Sequence, residues 1–138
     1  MDVKSAFLHG ELQEEIYMQH PEGFQEDPSL VCRLKKSLYG LKQAPRDWYA
    51  KMDAFLLSIG FTRCKSNPNV YLQKNDVILQ VIILYVDDLL IIFFCTNSIG
   101  QIKNSLHSEF AMTDLGLLRQ FLGLEIEQNG KGVMMSQQ

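Results

Sequence analysis

The chain has 138 residues, of which 46% are apolar and 21% charged. That is the balance of an ordinary folded domain and excludes a disordered, collagenous or low-complexity chain. The length makes one domain with a real core, and the net charge of −3 excludes a chain basic enough to attract nucleic acid by overall charge. A nucleic-acid partner therefore requires a local basic surface or sequence outside this chain.

Taken in chain order, Asp2 and Lys4 interrupt any apolar start, so no secretion leader is expected. Short strands are expected at Ile16–Met18 and Val31–Leu34. Charge is segregated around them. Glu11 to Asp27 holds six acidic residues and no Lys or Arg, whereas Val31 to Lys51 holds six basic residues (Arg33, Lys35, Lys36, Lys42, Arg46, Lys51) against Asp47 alone. Two solvated faces of opposite sign explain this most simply; a basic strip for phosphates is the functional reading. Pro45 suits a first helical turn, and Trp48, Met52, Phe55, Leu56 and Ile59 follow at helical spacing until Gly60 ends the helix. That stripe, Trp48 included, reads as core packing.

Further on, strands are expected at Asn69–Gln73 and Val77–Tyr85 around a Lys74-Asn75-Asp76 turn, and at Leu89–Phe94. A second helix is expected from Ser98 to Phe110, with Ile102, Leu106 and Phe110 four apart and Gly100 in its first turn. Phe121–Gln128 and Gly132–Ser136 flank Asn129-Gly130, a strong signal for a tight hairpin. Helices mixed with antiparallel strands predict an α+β domain with the helices on one sheet face.

The apolar run from Val77 to Cys95 is no membrane span on this reading. Asp87 and Asp88 sit inside it, each costing about 2.5–3.5 kcal/mol at mid-bilayer. Neither apolar half approaches the roughly 20 residues that a spanning helix needs. Cys32, Cys64 and Cys95 form no C-x-x-C pair and are expected as reduced, buried thiols. His9, His20 and His107 are isolated, and no metal site is expected on them.

Composition does not explain Asp87-Asp88. Adjacent carboxylates between apolar strands are costly unless paired, hydrogen-bonded or bound to a metal. One reading is a hairpin tip exposed to water, because Asp is a good turn former. The other is a site for a hard divalent ion such as Mg²⁺, which takes carboxylate oxygens together with substrate phosphates. The flanks Ile83-Leu84-Tyr85 and Leu89–Ile92 favour a fully buried hairpin whose turn alone reaches a site. A two-ion site for phosphoryl transfer needs a third carboxylate, and Asp2 is the best candidate.

The stretches Met1–Gly10 (MDVKSAFLHG), Ser37–Arg46 (SLYGLKQAPR) and Tyr85-Val86-Asp87-Asp88 together resemble the reverse transcriptase of copia-type LTR retrotransposons. Tyr17–Phe24, and Phe110–Gly116 followed by Phe121–Ile126, fit the same family in the same order, so the resemblance covers essentially the whole chain. It implies a single polymerase palm domain over 1–138: an antiparallel sheet backed by helices, with a C-terminal β-hairpin. It implies RNA-directed DNA synthesis by two-metal nucleotidyl transfer from a dNTP to a primer 3′-hydroxyl. Asp2, Asp87 and Asp88 would be the catalytic carboxylates and ligands of two Mg²⁺ ions, with Mn²⁺ as a substitute. Val3, Phe7, Tyr39, Gly40 and Tyr85 would line the nucleotide site, Phe7 as the aromatic gate beneath the sugar. Lys42, Gln43, Pro45 and Arg46 would contact the template side, so the basic strip becomes part of it. Phe121, Leu122 and Gly123 would belong to the hairpin that positions the primer. The implied partners are an RNA or DNA template with its primer, a dNTP, and the fingers, thumb and RNase H of a parent polyprotein.

The sequence opens at the first of these motifs and stops at the primer-positioning region, so the 138 residues by themselves are expected to be inactive. For the parent polyprotein the resemblance implies a cytoplasmic virus-like particle. Ile91-Ile92-Phe93-Phe94-Cys95 stays apolar where the family turns small and polar. That favours the alternative of an inactive retrotransposon remnant, non-enzymatic or weakly nucleic-acid-binding; the three retained aspartates favour catalytic descent. Arg119 reads either as a surface residue or as a basic proton donor to pyrophosphate.

Overall fold

A computed structural model describes residues 1–24, 27, 29–74, 79–93, 96–130 and 132–137. Its elements run β1 (Asp2–Val3), a 3-10 turn (Ala6–His9), β2 (Tyr17–Met18), β3 (Cys32–Arg33), α1 (Ala44–Ser58), β4 (Thr62–Arg63) and β5 (Val70–Lys74). They continue with β6 (Leu79–Tyr85), β7 (Asp88–Phe93), α2 (Thr96–Glu109), β8 (Met112–Thr113), β9 (Gln120–Phe121), β10 (Leu124–Asn129) and β11 (Gly132–Ser136). The mixture is α+β, as expected.

The main sheet is antiparallel throughout, in the order β4-β5-β6-β7-β1-β8. Its centre is the β6–β7 hairpin. Strand β6 alternates strictly: Gln80, Ile82 and Leu84 are buried, and their neighbours are not. Period-2 alternation puts one face on the core and leaves the other partly in water. The hairpin is therefore half-buried, which corrects the expectation of strands buried on both faces. Ile82 and Leu84 join Tyr71, Leu89, Val3 and Met112 in one core with Trp48, Met52 and Leu56 of α1 and Ile102 and Leu106 of α2.

Helix α1 follows its sequence signals. Pro45 lies in its first turn, Gly60 beyond its end has φ of 91°, and Trp48, Met52 and Leu56 are its deeply buried stripe. The 3-10 turn packs closely on the start of this helix. A Cβ at Gly10 would stand 3.1 Å from both the Asp47 Cβ and the Trp48 backbone nitrogen, so glycine permits the approach. Helix α2 starts at Thr96, two residues before the predicted start, which places Gly100 beyond its first turn.

Other expectations are corrected. The predicted strand Phe121–Gln128 is two strands, β9 and β10, which pair antiparallel across Leu122-Gly123. Both turn residues take positive φ, 52° and 79°, and this reverses the chain. With β11 they make a three-stranded sheet separate from the main one. The Asn-Gly signal does mark a hairpin, but Asn129 ends β10 as the partner of Gly132. Cys32 and Cys64 are free but not fully buried, and Cys32 Sγ lies 3.5 Å from His20 Nδ1. The predicted 74–76 turn falls largely, and Cys95 wholly, outside the described residues. Among the described residues no helix is long and apolar enough to cross a membrane.

Candidate active site

Strand β1 is only two residues long, yet it lies between β7 and β8. Its pairing sets Asp2 directly opposite Asp88 on one side and Thr113 on the other. The Val3 N–H donates to the Asp87 carbonyl at 2.9 Å, and the Leu89 N–H donates to the Met1 carbonyl at 2.8 Å. Backbone bonds on both sides of Asp2 thus tie it to the strand that carries Asp88 and to the turn that carries Asp87. The backbone positions of Asp2, Asp87 and Asp88 thus adjoin at one corner of the sheet.

That corner is electrostatically crowded. The Asp88 carboxyl is raised above the ordinary carboxylate value, first by burial and then by the Asp87 and Asp2 charges, with the Met1 ammonium opposing them. Like charges in direct opposition disfavour ionisation.

The β6–β7 turn consists of Val86 and Asp87, closed by the Tyr85–Asp88 pair. Val86 has φ of 54°. A positive φ at the first turn position is where a type II′ hairpin usually has glycine. A β-branched residue there is an outlier, and such conformations cost about 1–3 kcal/mol unless the surroundings hold them. Here α1 contributes: the Trp48 indole Nε1 donates to the Val86 carbonyl at 2.5 Å. Sequence reasoning placed Trp48 correctly in the core but missed this bond. The available signal was that a buried indole N–H generally finds an acceptor.

Phe7 and Tyr39 meet, their ring centroids 4.6 Å apart, and Tyr39 is exposed beside Gly40, whose φ of 94° requires a glycine-like conformation. Tyr85 is half-exposed next to the turn, whereas the Val3 side chain is buried in the core and leaves only its backbone near the site. Phe121, Leu122 and Gly123 lie on the separate three-stranded sheet. Arg119 is exposed.

The basic strip is partly neutralised by the acidic segment that precedes it. Arg46 bonds Glu14 at 2.7 Å and Asp47 at 3.2 Å, Arg33 bonds Glu15 at 2.9 Å, and Lys51 lies 3.5 Å from Glu109 and 3.9 Å from Glu11. Charge segregation along the sequence has become charge pairing in the fold. Lys35, Lys36 and Lys42 are exposed and make no ion pair among the described residues. Pro45 is exposed and Gln43 half-buried at the start of α1.

Among the described residues no three His, Cys, Asp or Glu side chains stand gathered as a metal cage. The donor set at the corner nevertheless suits a hard divalent cation: carboxylate oxygens on adjoining backbone positions, with an Asp88 whose raised carboxyl a positive charge would relieve.

The profile of the reverse transcriptase (RNA-dependent DNA polymerase) family matches residues 1–138. The chain is 46% identical, over its whole length, to the retrovirus-related Pol polyprotein from transposon TNT 1-94 of Nicotiana tabacum, of which it covers 11%. It is 37% identical over 99% of its length to the corresponding polyprotein from transposon RE2 of Arabidopsis thaliana, covering 10% of it. It is 32% identical over 95% of its length to the transposon Ty1-GR1 Gag-Pol polyprotein of Saccharomyces cerevisiae, covering 8%. The chain thus spans about a tenth of these relatives. No solved structure matches it.

Proposed function

Because this chain belongs to the reverse transcriptase (RNA-dependent DNA polymerase) family of retrotransposon Pol polyproteins, we propose that it forms the palm-like catalytic core of a copia-type enzyme. The reaction is transfer of a nucleotidyl group from a dNTP to a primer 3′-hydroxyl on an RNA or DNA template. The observation that carries this reading is the Asp2–Asp88 register, which sets two aspartates distant in sequence opposite each other, next to Asp87.

Asp2, Asp87 and Asp88 would hold Mg²⁺, or Mn²⁺ in its place. When bound, such ions lend positive charge to the attacking hydroxyl and to the phosphate oxygens. The chain's own residues supply position. The β1–β7 pairing fixes Asp2 and Asp88 on adjoining strands, while Val3 and Trp48 hold the two carbonyls of the turn. The Phe7–Tyr39 ring pair offers an aromatic wall for the sugar and base of the nucleotide. Lys35, Lys36 and Lys42 supply local positive charge for template phosphates on a chain that is acidic overall.

Primer extension by a longer Pol protein carrying this segment tests the reading. Asp87→Asn should reduce extension to background with the protein still folded. Full extension by that variant would remove the catalytic role from this corner.

A further inference from the structure

We propose that Trp48 is a positioning residue for the Asp87-Asp88 turn: its indole N–H grips the Val86 carbonyl and so keeps Val86 in the left-handed conformation that presents both aspartates. The proposal rests on the reading of Asp87 and Asp88 as cation ligands.

Three observations support it. First, Val86, with φ of 54°, occupies a turn position that favours glycine, so its conformation has to be imposed from outside. Second, both central carbonyls of the turn are held by elements outside the hairpin, that of Asp87 by the Val3 N–H of β1 and that of Val86 by Trp48 of α1. Third, the indole is itself immobilised. Trp48 is buried, and its ring meets Phe110 edge-on at 5.4 Å and His9 at 5.8 Å. A ring locked on a fifteen-residue helix is a rigid anchor for the residue next to Asp87; groups that bond a ligand directly typically change metal affinity by about 10–100-fold, so the lower end of that range is expected here. Burial alone already calls for an acceptor for the indole N–H, so a positioning role further requires that losing this bond moves the turn.

Trp48 is the single tryptophan of the chain, so replacing all tryptophan with benzothienylalanine alters one site. This analogue keeps the fused ring and substitutes sulfur for the N–H. Mn²⁺ alone is the probe, its binding followed by water-proton relaxation at a temperature where circular dichroism shows every variant folded. The expected result is that native protein binds, that Asp87→Asn loses that binding, and that the analogue binds about tenfold more weakly. Met52→Ala, a core truncation on the same helix, should leave Mn²⁺ affinity unchanged. Native-like binding by the analogue, with Asp87→Asn still defective, would make Trp48 packing alone and overturn the proposal. An equal loss in Met52→Ala would do the same. Indistinguishable binding by native protein and Asp87→Asn would instead overturn the cation reading, and the proposal with it. A measurement on unaltered protein is independent of folding defects: the Trp48 indole proton should exchange with solvent at least a hundredfold more slowly than a free indole, and unprotected exchange contradicts the proposal.

Discussion

Asp2 stands directly across from Asp88 in the β1–β7 pair, so the sheet opposes two carboxylates where stability favours a neutral or oppositely charged pair. The turn beside them adds a valine in a glycine-like conformation. Two local rules of sheet construction are thus broken within three consecutive residues, the pattern expected where function rather than stability has set the sequence.

The first prediction follows from the charge opposition. Because the Asp88 carboxyl is raised in the fold, the folded chain holds this proton more tightly than the unfolded chain. Its contribution to stability therefore falls as pH rises from the ordinary carboxyl value of 3.8 through the raised value, and the penalty is complete above it. Asp88→Asn should raise the urea midpoint at neutral pH in metal-free buffer and leave it unchanged below pH 3.8. An equal gain at both pH values would trace the effect to packing instead of charge.

A second prediction concerns a polar clip away from the site. Asp53 of α1 accepts from the Tyr71 hydroxyl at 2.8 Å and from Arg63 Nε and Nη2 at 2.9 and 2.6 Å, tying the helix to β4 and β5. Burial first, then Tyr49 and Asp53, raises the Tyr71 hydroxyl well above its usual value, so it stays a donor at any physiological pH. Tyr71→Phe should cost about 1 kcal/mol, the usual net worth of one hydrogen bond. Asp53→Ala should cost more, up to roughly 3 kcal/mol, because it leaves the Tyr71 hydroxyl without this acceptor. Neither variant should change Mn²⁺ binding. Chemical denaturation alongside metal titration separates the two effects.

The third prediction tests the basic strip. Glu14 occupies the Arg46 guanidinium at 2.7 Å. In a longer Pol protein carrying this segment, Glu14→Ala should leave Arg46 with Asp47 as its remaining ion-pair partner, make it more available to a phosphate, and tighten primer–template binding with a log–log salt dependence steeper by up to about one unit. An unchanged salt slope would show that Arg46 braces the fold and meets no phosphate.

Helix α1 was legible in the sequence because its apolar spacing, its proline and its terminal glycine all agree, and the order β5-β6-β7 because each run is long enough to show its period. Strand β1 was not legible. Two residues carry no periodicity, and its partners lie more than 80 residues further along the chain. The need for a third carboxylate made Asp2 a candidate and the family resemblance strengthened it, but only the fold shows it opposite Asp88. The break at Leu122 was missed because leucine rarely takes positive φ, so nothing local announced a turn. The ion pairs of Arg33 and Arg46 were hidden for a related reason: opposite charges in separate segments become partners only once β2, β3 and α1 are packed.

The most direct test of the central claim, that Asp2, Asp87 and Asp88 form one cation-binding corner, is paramagnetic broadening by substoichiometric Mn²⁺ of the aspartate side-chain carboxyl resonances of carbon-13-labelled protein. Asp2, Asp87 and Asp88 should broaden together at the lowest Mn²⁺ concentrations, ahead of Asp53 and Asp114, and excess Mg²⁺ should reverse the effect. Broadening of Asp87 and Asp88 without Asp2, or broadening of all carboxylates alike, would contradict that claim.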